Sequence, residues 1–158
     1  MLIERPLHNL RDSLVDESEI DWLDLTWIQC GRRALQKQTR GDREVRLLLR
    51  IGITLRHGDL LAREEGVSIV VNVLPCELLV ASPKNSQELI SVAFKLGDLH
   101  VPIQLIDDQI LTPVDGPSEA ALHELGVAFE IQHRRFEPSL RSAAQITFSD
   151  NLELNRIR

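Results

Sequence analysis

Residues 85 to 106 read Asn85-Ser-Gln-Glu-Leu-Ile-Ser-Val-Ala-Phe-Lys-Leu-Gly-Asp-Leu-His-Val-Pro-Ile-Gln-Leu-Ile106, and this stretch decides the fold of the second half of the chain. Asn85 is a helix-capping residue, and Glu88 follows three positions later, as in a capping box. Leu89, Ile90, Ala93 and Phe94 then recur at helical spacing and predict the apolar face of a helix. Gly97 permits a backbone conformation that other residues avoid. Pro102 fixes its own φ and pushes its predecessor towards extended geometry, so Val101 to Ile106 reads as a strand. His100 therefore sits at a helix-to-strand junction with its imidazole aimed outward. On strand parity it falls with Pro102 and Gln104, opposite Val101, Ile103 and Leu105.

The same reading extends in both directions. Glu77 to Ser82 is a short apolar strand. Asp107-Asp108 is a turn, and Gln109 to Val114 a strand. Asp115, Gly116 and Pro117 start a second helix, proline being favoured in the first turn. Ala121, Leu122 and Leu125 give its face, and Gly126 its stop. Val127, Phe129 and Ile131 alternate as a last strand. The order is β-α-β-β-α-β, a ferredoxin-like split βαβ unit. Before it, the chain to about Leu74 is β-rich. Val45, Leu47 and Leu49 share one face, with Arg46 and Arg50 on the other. Val67, Ile69, Val71 and Val73 alternate with Ser68, Val70 and Asn72. His57-Gly58-Asp59 and Glu64-Glu65-Gly66 are turns. Residues 12 to 24 are acidic and read as a loop with one short strand at most. The expected fold class is α+β: an all-β N-terminal domain, a small sandwich or barrel, over residues 1–74, a ferredoxin-like βαββαβ domain over 75–148, and a short tail, 149–158, without histidine.

Composition narrows the function. The chain has 158 residues, 43% hydrophobic and 27% charged, which fits a folded protein rather than a disordered one. Net charge is −6 and the pI about 5.4, against the basic balance of general nucleic-acid binders. Aromatic residues are 4%, with no tyrosine, so a base-stacking surface is poorly supplied. Cys30 and Cys76 form no CxxC motif and no disulfide framework. They read as free thiols in a reducing compartment, buried as small apolar residues. The N-terminus, Met-Leu-Ile-Glu-Arg-Pro, lacks the long apolar core of a secretory signal. No apolar run approaches the ~18 residues of a membrane span. A cytoplasmic protein that binds neither nucleic acid nor membrane is expected.

The segment from Gly97 to Gln104 resembles the metal-site segment of the urease accessory E family, the nickel chaperones of urease maturation. There it commonly reads Gly-Asn-Arg-His, an aliphatic residue, Pro, an aliphatic residue and Gln. Gly97, His100, Val101, Pro102, Ile103 and Gln104 match; Asp98 and Leu99 depart. Leu25-Thr26-Trp27, Arg32-Arg33, Thr39-Arg40-Gly41, Glu44-Val45, Arg50-Ile51-Gly52 and the run from Leu55 to Leu61 follow the order of that family's N-terminal domain. Phe136-Glu137-Pro138 resembles its domain end, so the resemblance covers about residues 1 to 140. It implies a non-catalytic carrier of Ni(II), with Zn(II) and Cu(II) as competitors at the same site. It also implies a homodimer through the C-terminal domain and a partner-binding or peptide-binding role for the N-terminal one. The implied partners are the urease apoprotein and the other urease accessory proteins, including the GTPase. Many members end in a histidine-rich tail, which is missing here, so few ions should be stored.

Neutral imidazole is a good nickel ligand, yet one histidine per chain makes a poor metal site. A two-fold dimer that sets His100 of one protomer against that of its partner solves this. The plainer reading is a surface or helix-capping histidine, which spacing alone favours and the resemblance outweighs. His133, next to Arg134-Arg135 at a strand end, is a second and weaker metal candidate. His123 falls at the rim of the second helix's buried face, and His8 and His57 lie in the β-rich part. None has the i, i+4 His or Cys partner of closed zinc sites. Arg32, Arg33, Lys37 and Arg40 form either a basic binding face or, more simply, a solvated surface. The chain lacks a nucleophile-base pair at motif spacing and a Gly-rich phosphate loop. Three functions follow: a nickel chaperone, a metal-free interaction or scaffold protein of the same fold, and a small hydrolase using Asp107-Asp108, a pair that a turn explains better.

Overall fold

Period-two burial runs through residues 20–25, 34–38 and 44–48. The computed structural model, which describes residues 1–12 and 20–138, has seven strands in the first 74 residues: β1 Leu2–Ile3, β2 His8–Asn9, β3 Ile20–Leu25, β4 Ala34–Gln38, β5 Glu44–Leu48, β6 Asp59–Glu64 and β7 Val67–Val73. They form two sheets, ordered β1-β5-β4 and β2-β6-β7-β3. Ile3, Val45 and Leu47 from one sheet meet Leu23, Leu25, Ile69, Val71 and Val73 from the other in a single core, with Cys30, Leu49 and Leu55. Each such side chain contributes roughly 1.5–3 kcal/mol by leaving water. The β6–β7 hairpin turns on Glu65 and Gly66, both with positive φ, the pairing that matches strand twist.

Two expectations change here. Residues 12–24 were expected to be a loop with one short strand at most, yet β3 is six residues long and pairs in parallel along β7, Ile20 with Ser68 through Leu25 with Val73. Residues 13–19 lie outside the described part. Asp21 is responsible for the misreading. It is an inward position of β3, and its carboxylate accepts from Thr39 Oγ1 at 2.7 Å, the Gly41 amide at 2.9 Å and Arg43 Nη1 at 2.8 Å. A Cβ at Gly41 would stand 2.7 Å from Asp21 Oδ2, so only glycine allows that approach. The second change is on β7. Ser68, expected on the outer row with Val70 and Asn72, is buried, and Val70 is fully so. The cross-strand neighbours of Val70 are Trp22 and Leu60, large apolar groups that cover it.

The candidate basic face is not a free cluster. Arg40 donates twice to Asp24, at 3.1 and 2.8 Å, and Lys37 donates to Gln29.

A second compact unit begins at Pro75. It comprises β8 Pro75–Ala81, α1 Ser86–Asp98, β9 Gln104–Ile106, β10 Gln109–Pro113, α2 Gly116–Leu125 and β11 Phe129–Arg135. The chain is thus mixed α+β, with strands predominating. The sheet order is β11-β8-β10-β9, antiparallel throughout. Leu79, Ala81 and Ile110 of the sheet pack with Val92 and Leu96 of α1 and Leu122 of α2. Asp107-Asp108 makes the β9–β10 turn, with Ile106 opposite Gln109. Among the described residues no helix is long and apolar enough to cross a membrane.

The strand after His100 is shorter than expected. Val101 to Ile103 lie outside β9, because Pro102 has no N–H to give a ladder. Its carbonyl instead accepts from Thr112 Oγ1 at 3.0 Å. The parity argument for His100 therefore lapses, and Leu105, expected inward, is half exposed. The buried side of α1 also differs. Val92 and Leu96 are its fully buried residues, with Leu89 and Ala93 partly so. Ile90 and Phe94, expected in the core, are 67% and 76% exposed.

Candidate metal centre

His100 owes its position to how α1 begins and ends. At the start, Asn85 accepts from the Glu88 amide at 2.9 Å, and the Glu88 carboxylate reaches back to the Lys84 amide at 2.8 Å. At the end, the His100 amide donates to the Gly97 carbonyl and the Val101 amide to that of Leu96. This pair of bonds is a Schellman motif, which requires a left-handed residue at its penultimate position. That residue is His100, with φ of 56°. Gly97, expected to supply the unusual conformation, is an ordinary helical residue within α1. The unusual φ falls three residues later, on the histidine itself. A non-glycine residue in that region costs roughly 1–2 kcal/mol. Val101 and Leu96 pack in the same core and hold the turn shut.

The imidazole so presented is exposed, and among the described residues it has no hydrogen-bond or ionic partner. Asp98, the last residue of α1, is likewise exposed and unpartnered among them. His133 lies elsewhere, exposed on the edge strand β11 opposite Glu77 of β8. No group of three or more His, Cys, Asp or Glu side chains able to hold an ion occurs among the described residues, so these residues of one chain do not gather His100 and His133 into such a group. His123, expected at a buried rim, is largely exposed, 4.0 Å from Glu119, and meets the Phe129 ring edge-on. His57 stacks flat on Trp22 with centroids 5.8 Å apart, and His8 is half-buried on β2. Cys30 is buried. Cys76 is half-buried, and burial pushes its thiol pKa up, which disfavours the thiolate that binds metals.

Two family profiles match successive parts of the chain. The profile of the UreE urease accessory protein N-terminal domain covers residues 3–74, and that of the C-terminal domain covers residues 76–152. The chain belongs to the UreE urease accessory protein family. Among its relatives, the urease accessory protein UreE of Acetivibrio thermocellus is 30% identical over 128 residues, 81% of this chain and 84% of that protein. UreE of Actinobacillus pleuropneumoniae is 31% identical over 129 residues, 81% of this chain and 69% of that protein. UreE of Helicobacter pylori strain G27 is 29% identical over 153 residues, 94% and 88% of the two. The family is one of accessory chaperones in urease maturation and not of enzymes, which removes the hydrolase reading of Asp107-Asp108.

The exposed Ile90–Phe94 pair on α1 was missed by the sequence reading. A usable signal was present: apolar residues occupy more of the α1 circumference than one buried stripe needs.

Proposed function

We propose that the chain is a nickel metallochaperone that delivers Ni(II) for assembly of the urease active site. It works as a homodimer through its C-terminal unit, with one ion held between His100 of one protomer and His100 of its partner. The observation that carries this reading is the exposed, unpartnered imidazole of His100, kept at a left-handed helix end where glycine would be cheaper. Strain of this kind persists where a side chain is needed for something other than folding. The donor chemistry fits, since Ni²⁺ accepts imidazole nitrogen readily, and Zn(II) and Cu(II) would compete. The dimer is supported by the exposed Ile90 and Phe94 on the helix that ends at His100, because large apolar groups side by side on a surface mark a contact. The strand order β11-β8-β10-β9 supports assigning the unit to the ferredoxin-like class. The N-terminal unit is the partner-binding part. The urease apoprotein and the other accessory proteins, including the GTPase, are the partners, and the setting is cytoplasmic. The C-terminal segment 149–158 carries no histidine and takes no part in tight binding.

Calorimetric titration of Ni²⁺, with sedimentation to record the oligomer, tests this. One tight ion per dimer is expected in the wild type and none in His100→Ala. Protons compete with the metal for the same imidazole nitrogens, so the tight site should weaken steeply on acidification, two protons displacing one ion. An unchanged isotherm in His100→Ala would move the site, with His133 next to test. Absence of nickel binding in the wild type would favour the metal-free interaction protein.

A further inference from the structure

The end of α1 breaks two rules at once. Unpaired carbonyls give a helix C-terminus partial negative charge, so its last turn favours cations and disfavours carboxylates. Yet Asp98 is the last residue of α1. The basic residue of that turn, Lys95, is drawn away to Glu124 at 3.1 Å. Two positions on, the left-handed site that favours glycine is held by His100. Both side chains are of metal-ligating type, both are exposed, and among the described residues neither has a partner.

Asp98 also lies four residues after Phe94 and eight after Ile90, so the three form one row along the exposed face of α1. An ion shared by the two His100 rings lies on the two-fold axis, so the axis passes the end of α1, and the two Asp98 side chains, each two residues from a His100, are brought to the same place. Two carboxylates brought together repel unless a cation lies between them. Charge balance points the same way: two neutral imidazoles leave both charges of Ni²⁺ uncompensated, whereas two carboxylates neutralise it.

We infer that Asp98 is a second ligand of the shared ion, so that the dimer offers two imidazole nitrogens and two carboxylate oxygens. This rests on the proposed His100 site and goes beyond it, since the family segment quoted above commonly carries asparagine here. The consequence is a metal-linked dimer. Without the ion the Asp98 pair weakens association; with it the pair strengthens association.

The test compares wild type, Asp98→Asn, Asp108→Asn and His100→Ala by Ni²⁺ calorimetry and by sedimentation equilibrium with and without the metal. Asp108, exposed on the β9–β10 turn, controls for a change in net charge alone. Asp98→Asn should keep one ion per dimer with affinity about tenfold or more weaker, a size typical of losing a supporting group at a metal site. It should also dimerise at least as tightly as wild type without metal, and show little further tightening when nickel is added. Asp108→Asn should match wild type throughout. Wild-type affinity in Asp98→Asn, or an equal loss in Asp108→Asn, overturns the role of Asp98 while leaving His100 intact. Loss of binding in neither Asp98→Asn nor His100→Ala, or no binding by wild type, overturns the underlying His100 site instead.

Discussion

The turn at residues 39–43 and the end of α1 both gather charged residues near the surface, and they treat them in opposite ways. At the turn the two carboxylates of β3 are answered. Asp21, with a side chain 6% exposed, takes three donors from Thr39, Gly41 and Arg43. Its neighbour Asp24 takes Arg40 and Asn72. At the end of α1 nothing answers: Asp98 and His100 face solvent unpartnered among the described residues, the second in a backbone conformation that glycine prefers. A region built for stability satisfies its polar groups internally, because an unpaired buried one costs about 1–3 kcal/mol. A region that leaves ligating side chains unsatisfied, at some cost to the helix, has them satisfied from outside the chain. Mutations should therefore lower stability in the first region and spare or raise it in the second.

The largest effect is expected at Asp21. Asp21→Ala leaves Thr39, the Gly41 amide and Arg43 without their acceptor and should cost about 2–3 kcal/mol in chemical denaturation at neutral pH. The acid profile carries the same information. Burial alone would raise the Asp21 pKa, but the hydrogen bonds from Thr39, Arg43 and Gly41, with the Arg43 charge, outweigh it and hold the carboxyl below its ordinary value. Hydrogen bonding to Arg40, opposed by burial and helped by Asn72, does the same for Asp24. A carboxyl depressed by folding contributes its full stability above its unfolded pKa, about 3.9, and loses it as pH falls through the lower folded value. Stability should thus decline below about pH 4–5, and Asp21→Asn should flatten that limb. Equal slopes in mutant and wild type would show that the turn's carboxylates do not carry the acid response.

Much of this was legible in the sequence, for reasons that differ by element. Asn85 with Glu88, and Asp115 with Pro117, fix both helix starts because capping is local chemistry between residues three apart. Gly126 marks one helix end for the same reason. Its counterpart was hidden, because a histidine in the left-handed position looks like any other residue, and nearby Gly97 drew the inference to itself. The strand β3 was obscured by Asp21 and Asp24, whose hydrogen-bond donors come from residues 16 to 48 positions away. Periodicity placed Leu89 and Ala93 rightly on the core side of α1 but added Ile90 and Phe94, whose helical spacing is as good as that of Val92 and Leu96. Spacing tells that a face is apolar, not what covers it. His100 was found through its motif, but that it is unpartnered and left-handed is visible only in three dimensions.

The two helix ends of the C-terminal unit sharpen the comparison at a smaller scale. Both close with the same pair of hydrogen bonds, His100 and Val101 on α1, Gly126 and Val127 on α2. At Gly126, with φ of 65°, a Cβ would meet no atom within 4 Å, so Gly126→Ala carries backbone strain alone. A loss of about 1–2 kcal/mol is expected. A neutral result would mean that the turn relaxes and that left-handed strain is weak in this unit.

The converse substitution has the smallest effect and the most telling sign. His100→Gly puts the preferred residue at the same position of the same motif, so the strain relieved is of the kind that Gly126→Ala introduces. Part of the gain is offset, because glycine also has more freedom to lose on folding. Helix α1 has Val101 and Leu96 to keep its end closed without the imidazole. The net expectation is a gain of roughly 0.5–1 kcal/mol, read as a higher denaturation midpoint at unchanged slope, together with loss of the tight nickel site. Stability and metal binding then move in opposite directions on one side chain, as they do where function holds a residue against folding. A loss of stability in His100→Gly would mean that the imidazole makes a contact that holds the fold. The left-handed histidine would then be a structural feature rather than one retained for a ligand.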